Sequence, residues 1–183
     1  TLFRSLLRYR EDLVPFPGKR QRLKLTLCAV GSLGATTENN LVKDYIARAA
    51  QTGRGLGLST VELIEVEAKK TRNLTSPQLK AAEAEAIRAA LDGGVLVTCD
   101  ERGEPLTSRH IARRIETFKD RGEKRLTFVI GGADGLDPAL RDQAAFSLAF
   151  GPQTWPHALV RVMLAEQLYR ATTILAGLPY HRD

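Results

Sequence analysis

Short apolar runs alternate with helix-patterned stretches along this chain, and glycines or polar turns punctuate the boundaries. Leu25–Val30 stops at Gly31, and Val61–Val66 follows a glycine-rich turn over residues 53–57. Val95–Cys99 follows Gly93-Gly94, Leu126–Ile130 stops at Gly131-Gly132, and a shorter run spans Phe146–Phe150. Between the runs, residues 38–51 place Leu41, Val42, Tyr45, Ile46 and Ala49 on one side at helical spacing. Ser76-Pro77 opens an alanine-rich helix, with Ser76 as the cap, that stops near Asp92-Gly93-Gly94. Thr107 caps the next helix, Asp137-Pro138 starts a short one, and residues 158–176 form a long last helix. Parallel strands need crossover connections, usually helices, and those crossovers cover the faces of the sheet. The pattern therefore predicts an α/β domain with a mostly parallel sheet flanked by helices. The apolar run Val95–Cys99 reads as a strand buried on both faces.

The 183 residues fit one domain with a real core. Residues 23–183 are expected to form it, and residues 1–22 read as a basic appendage foreign to it, broken by Val14-Pro15-Phe16-Pro17-Gly18. Their arginines and lysines, set against Glu11 and Asp12, contribute most of the formal net charge of +6. The rest of the chain is only mildly basic, so global charge alone does not point to nucleic acid. No apolar run approaches the roughly 20 residues a membrane span needs, and the first residues lack a secretory signal pattern. The two cysteines, Cys28 and Cys99, each sit in an apolar run, as free thiols of a reducing cytoplasm would.

Ligands of open α/β sheets settle beyond the carboxyl ends of the strands. Loop chemistry is concentrated at such ends here: Cys99-Asp100-Glu101-Arg102-Gly103, Gly131 to Gly135, and Gly151 to His157. Their glycines would let backbone approach a ligand without an intervening Cβ. Each could be an ordinary tight turn, but three neighbouring ends together favour a small-molecule pocket. The dinucleotide fingerprint and the P-loop are both absent. No zinc-protease or paired-cysteine spacing occurs, and no metal is expected. The nucleophile elbow of serine hydrolases is missing too.

Other side chains have bland readings. His157 closes a turn at the start of the last helix, Trp155 packs in a core or interface, and Glu166 pairs with Arg161 or Arg170. The basic residues between Arg102 and Arg125 are interspersed with acids, as on a solvated helix. The terminal Tyr180-His181-Arg182 offers an aromatic plane, a titratable ring and a guanidinium just after the helix-ending Gly177 and Pro179. That set suits stacking on a base and pairing with a phosphate.

In order along the chain stand Ile130-Gly131-Gly132-Ala133-Asp134-Gly135-Leu136, then Thr154-Trp155-Pro156-His157-Ala158-Leu159-Val160-Arg161-Val162, then Glu166-Gln167-Leu168-Tyr169-Arg170-Ala171, and finally Pro179-Tyr180-His181-Arg182. This set resembles the large-subunit ribosomal RNA pseudouridine N3-methyltransferase H family, one of the SPOUT methyltransferases, over about residues 23 to 183. The resemblance implies a SPOUT-like fold with a C-terminal trefoil knot, an exception to the rule against threaded chains. It implies S-adenosylmethionine held by Cys99, Gly131, Gly132, Gly151, Pro152, Gln153, Thr154, Trp155 and Pro156, with Cys99 as a pocket wall. It also implies that Tyr180, His181 and Arg182 complete the substrate site, with His181 either taking the N3 proton or orienting the base.

By the same resemblance the protein is a cytoplasmic homodimer that methylates 23S rRNA on the assembled ribosome, with no DNA and no membrane partner. Leu159, Val162, Met163, Ala165 and Leu168 of the last helix are then candidates for the dimer contact; packing on the chain's own sheet is the alternative. A catalytically silent ribosome- or RNA-binding module of the same fold is the competing reading. The intact tail and both cofactor loops favour the enzyme.

Overall fold

The computed structural model describes residues 22–68, 73–91 and 93–182. The appendage expected over residues 1–22 thus lies, apart from Arg22, outside the described residues. Strands β1 (Leu23–Val30), β2 (Leu58–Val66), β3 (Val95–Glu104), β4 (Arg125–Ile130) and β5 (Phe146–Leu148) alternate with helices. The helices are α1 (Thr37–Gly53), α2 (Ser76–Ala90), α3 (Ser108–Asp120), the short α4 (Pro138–Asp142) and α5 (His157–Leu175). The strands line up as β2-β1-β4-β3-β5, and each neighbouring pair is parallel. Sequence alternation predicted the parallel pairing, because crossover connections with helical segments separate the strand runs; the strand order comes from the structure.

Side-chain alternation along the strands separates two cores. Leu23, Leu25, Leu27 and Ala29 of β1, with Leu126, Phe128 and Ile130 of β4, join the inward residues of α1, α3 and α5. Cys28 and Val129 instead meet Ile87 of α2, Leu136 of the loop after β4 and Leu140 of α4. Phe128 is fully buried and meets Phe146 edge-on, with ring centres 6.4 Å apart. Each such leucine or phenylalanine contributes about 1.5–3 kcal/mol by leaving water, so the first core fixes the layers.

Several local expectations are corrected. The cap of α2 is Thr75, not Ser76: Thr75 and Gln78 form a reciprocal capping box, with Pro77 in the first turn. Leu41 of α1 lies outside the core at 44% exposure, whereas Val42, Ile46 and Ala49 are buried. β3 is buried only at Val97 and Thr98, and it does not end at Cys99. It swings out over residues 100–103 and returns, so that both Cys99 and Glu104 register against Leu148. Gly103 makes the return possible, since a Cβ there would come within 2.7 Å of the Ser147 and Leu148 backbone.

Helix α5 packs on α1 and α3. Its Ala165 and Leu168 are fully buried in the chain's own core and are unavailable to a second subunit. Leu159 remains 41% exposed, with Val162 and Met163 partly covered. Among the described residues, no helix is long and apolar enough to cross a membrane.

Candidate functional site

The outward swing of β3 and the carboxyl ends of β4 and β5 converge on one cavity of about 320 Å³, within the ~300–1,000 Å³ range of small-molecule sites. Its walls include Cys99 to Arg102, Ile130 to Leu136, Leu148, Phe150, and residues of the loop leading into α5. Of the expected cofactor residues, Cys99, Gly131, Gly132, Gly151, Gln153, Thr154 and Trp155 line it; Pro152 and Pro156 do not. The geometry brings together the three segments expected at strand ends, although the first of them lies within β3.

Packing gives two of these glycines a reason of their own. A Cβ on Gly131 would strike the Leu136 side chain at 2.9 Å, and one on Gly132 would meet the Glu83 carboxylate at 2.4 Å. Both positions are glycine because the loop is pressed onto its own supports. The cavity side is left to backbone and to the apolar groups of Ile130, Leu136, Leu148 and Val160. A flat apolar base carrying a polar sugar and a zwitterionic tail fits such a lining, with apolar walls for the base and loop backbone for the polar parts.

Cys99 behaves as wall. Burial, reinforced by the neighbouring Asp100 charge, pushes its thiol up to about 12, so it keeps its proton and is a poor nucleophile at neutral pH. Asp100 is tied instead to Arg141 of α4 at 3.2 Å, which fixes the outward swing of β3. His157, the first residue of α5, does more than close a turn: it lines the cavity. Trp155 is not in a core; it is 39% exposed on the cavity wall, and its Nε1 donates to the Phe150 carbonyl at 3.2 Å. As the sole tryptophan, it is expected to report ligand binding. Titration with S-adenosylhomocysteine should change its emission saturably, and unchanged emission at saturation would remove Trp155 from the pocket wall.

The tail lies elsewhere. Tyr180 folds back on α5, its ring centre 4.7 Å from that of Tyr169 and capped by the Arg170 guanidinium at 4.7 Å. Its hydroxyl donates to Glu166 Oε1 at 3.0 Å, and Arg170 Nε donates to the same carboxylate oxygen. Burial, then the bond to Glu166 and its charge, push the Tyr180 phenol up to about 12. Glu166 thus pairs with Arg170 alone of its two candidate arginines, while Arg161 pairs with Glu65. This clamp leaves His181 on the wall of a second cavity of about 750 Å³, beside Arg109, Ser108 and Gln167. Arg182 is exposed. The two cavities share Leu148, Phe150 and Gly151 in their walls.

Sequence reasoning missed Ser108 and Gln167, joined by a hydrogen bond of 2.8 Å across α3 and α5. It also missed Lys80, the α2 residue on the first cavity. Single polar residues on amphipathic helices carry no spacing signal that separates them from solvated neighbours.

Residues 23–181 match the model of a family described as "Predicted SPOUT methyltransferase". Proteins named ribosomal RNA large subunit methyltransferase H are close in sequence. The one from Phenylobacterium zucineum is 55% identical over 161 residues, 88% of this chain and 100% of its own length. That from Caulobacter vibrioides is 50% identical over 161 residues, 88% of this chain and 99% of its own. The Ruegeria pomeroyi protein is 51% identical over 87% of this chain and 99% of its own. Among solved structures, the TrmH/SpoU tRNA modifying enzyme of A. aeolicus is 12% identical over 89% of this chain and 82% of its own, with a TM-score of 0.42, a likeness too loose to build on.

Proposed function

The chain belongs to the SPOUT methyltransferase family, and we propose that it transfers a methyl group from S-adenosylmethionine to N3 of a pseudouridine in 23S ribosomal RNA. The relatives that carry the large-subunit methyltransferase name match essentially end to end. The observation that carries the reading is the meeting of two cavities along Leu148–Gly151, one lined by the strand-end loops and the other by the tail. A donor in the first and a nucleobase in the second would be separated only by that short segment. The fold would include the C-terminal trefoil knot that the family resemblance implies.

S-adenosylmethionine supplies an electrophilic sulfonium methyl, so the protein need not provide a covalent nucleophile. Gly131, Gly132, Gly151 and Gln153 to Trp155 would hold the donor, with Cys99 as apolar wall. The chain's main contribution is alignment, which is worth roughly 7–11 kcal/mol in favourable systems. The acceptor N3 is an imide nitrogen that attacks well only as its proton leaves. Tyr180 is a poor base, since its phenol stays protonated and its hydroxyl is committed to Glu166; its role is to clamp the tail. His181 faces the acceptor cavity with Nδ1 3.4 Å from Arg170 Nη1. A guanidinium only donates, so Nδ1 is the acceptor in this contact. From that wall His181 would take the N3 proton or orient the base. Arg182, exposed beside it, suits an RNA phosphate.

The substrate we propose is the assembled ribosome in the cytoplasm, with no role for DNA or a membrane. The protein would act as a homodimer whose contact includes Leu159, Val162 and Met163. Ribosomes lacking the modification, incubated with protein and methyl-labelled S-adenosylmethionine, should yield labelled N3-methylpseudouridine from large-subunit rRNA. Ribosome binding without transfer would favour a silent binding module, and label on another nucleoside would overturn the target assignment.

A further inference from the structure

We propose that Glu83 is a positioning residue for the cofactor pocket: its buried carboxylate, set behind Gly132 by helix α2, holds the Gly131-Gly132 backbone in shape. The inference rests on the cofactor reading above. Glu83 is only 8% exposed and shares the inward side of α2 with Ala84 and Ile87. Charged side chains are rarely buried so fully without a partner. Here the partner is backbone, because the Gly132 N–H donates to the carboxylate.

Geometry makes the contact intimate. A Cβ built on Gly132 would sit 2.4 Å from Oε1 and 2.7 Å from Oε2. The glycine is therefore required by the carboxylate on one side, while its other side lines the cavity. Burial raises the pKa of Glu83 and the Asp134 charge adds to this; the Gly132 bond and Lys80 work in the opposite direction. Lys80, one turn earlier on the same helix, reaches the cavity itself. Helix α2 thus bears on the pocket through a cation in its wall and a carboxylate behind it. An apolar residue would occupy this inward position at lower desolvation cost, but it could not accept the Gly132 N–H.

The test compares wild type, E83Q, E83A, G132A and the G132A/E83A double variant. Affinity for S-adenosylhomocysteine is measured by calorimetry, KM values for S-adenosylmethionine and for ribosomes by initial rates, and unfolding without ligand by melting. E83Q retains an acceptor oxygen and is expected to bind within about threefold of wild type. E83A should bind about tenfold more weakly, the effect of losing a hydrogen bond to a charged group. Its KM for the methyl donor should rise, with the KM for ribosomes unchanged. G132A should lose affinity as E83A does, and the double variant should bind no worse than E83A, because shortening Glu83 vacates the space the new methyl needs. Wild-type affinity in E83A, or a double variant much weaker than E83A, overturns the role of Glu83. A fall in melting temperature with affinity and KM intact does the same. Wild type that fails to bind S-adenosylhomocysteine overturns the cofactor reading and the proposal together.

Discussion

A chain ending at Leu178 is expected to fold, to bind S-adenosylhomocysteine as the full protein does, and to transfer methyl groups about 10²–10⁴-fold more slowly, the range spanned by loss of a positioned proton-handling group. The fold should survive because α5 is held by Leu164, Ala165, Leu168 and Ala171, all fully buried, whereas the tail beyond Gly177 lies on the surface. Cofactor binding should survive because, among the described residues, none after Val160 lines the first cavity. Transfer should fail because His181 lines the second cavity, and the clamp of Tyr169, Arg170 and Glu166 that sets its position closes on Tyr180. Calorimetry and initial rates of labelled transfer to unmodified ribosomes check the two halves separately. Full activity in the truncated chain would remove the tail from the mechanism, and lost cofactor binding would mean that the cavities are not independent.

The parallel sheet and the pocket were legible because both follow from where strand runs end. A run such as Leu126–Ile130 followed by Gly131-Gly132 states its own direction, and parallel order then gathers the loop ends at one edge. Charge in the wrong place misled the reading. Asp100-Glu101-Arg102-Gly103 looked like a loop after Cys99, yet β3 returns to register Glu104 with Leu148, a long-range pairing without local signature. The start of α2 was placed at Ser76, one residue late, because the reciprocal bond that makes Thr75 the cap depends on its pairing with Gln78. Glu83 escaped notice, and Arg161 was weighed only as a partner of Glu166, for a shared reason: charged residues on helices read as solvated. Their spacing held the signal, for Glu83 stands four residues before Ile87, and Arg161 leads Leu164, Ala165, Leu168 and Ala171 on one stripe.

Replacing Arg161 by methionine is expected to destabilise the fold by about 3 kcal/mol, the lower end of the cost of breaking a buried ion pair by removing one member. The lower end applies because Glu65 keeps 26% of its side chain exposed, while that of Arg161 keeps 4%. Nη1 meets Glu65 at 3.0 Å and Nη2 meets the Val30 carbonyl at 2.5 Å. One guanidinium therefore ties the first turns of α5 to the carboxyl ends of β1 and β2. Glu65 also accepts from the Leu33 N–H at 3.0 Å and from Ser32 Oγ at 2.9 Å, so the same carboxylate orders the loop after β1. Lysine at position 161 should rescue only part of the loss, since a point charge cannot reproduce a planar fork that satisfies a carboxylate and a carbonyl together. A melting temperature lower by roughly 6–12 °C follows for a domain of this size. The damage should reach the pocket, because the residue before Arg161 is Val160, which lines the cavity, and the loop from Gln153 to Trp155 enters α5 just upstream. S-adenosylhomocysteine affinity should therefore fall along with stability, whereas the tail truncation should spare both. Melting and calorimetry on the two variants in parallel separate a brace shared by core and cofactor loop from a tail that serves the acceptor. If R161M melts within a degree or two of wild type, the ion pair is not what holds α5 to the sheet.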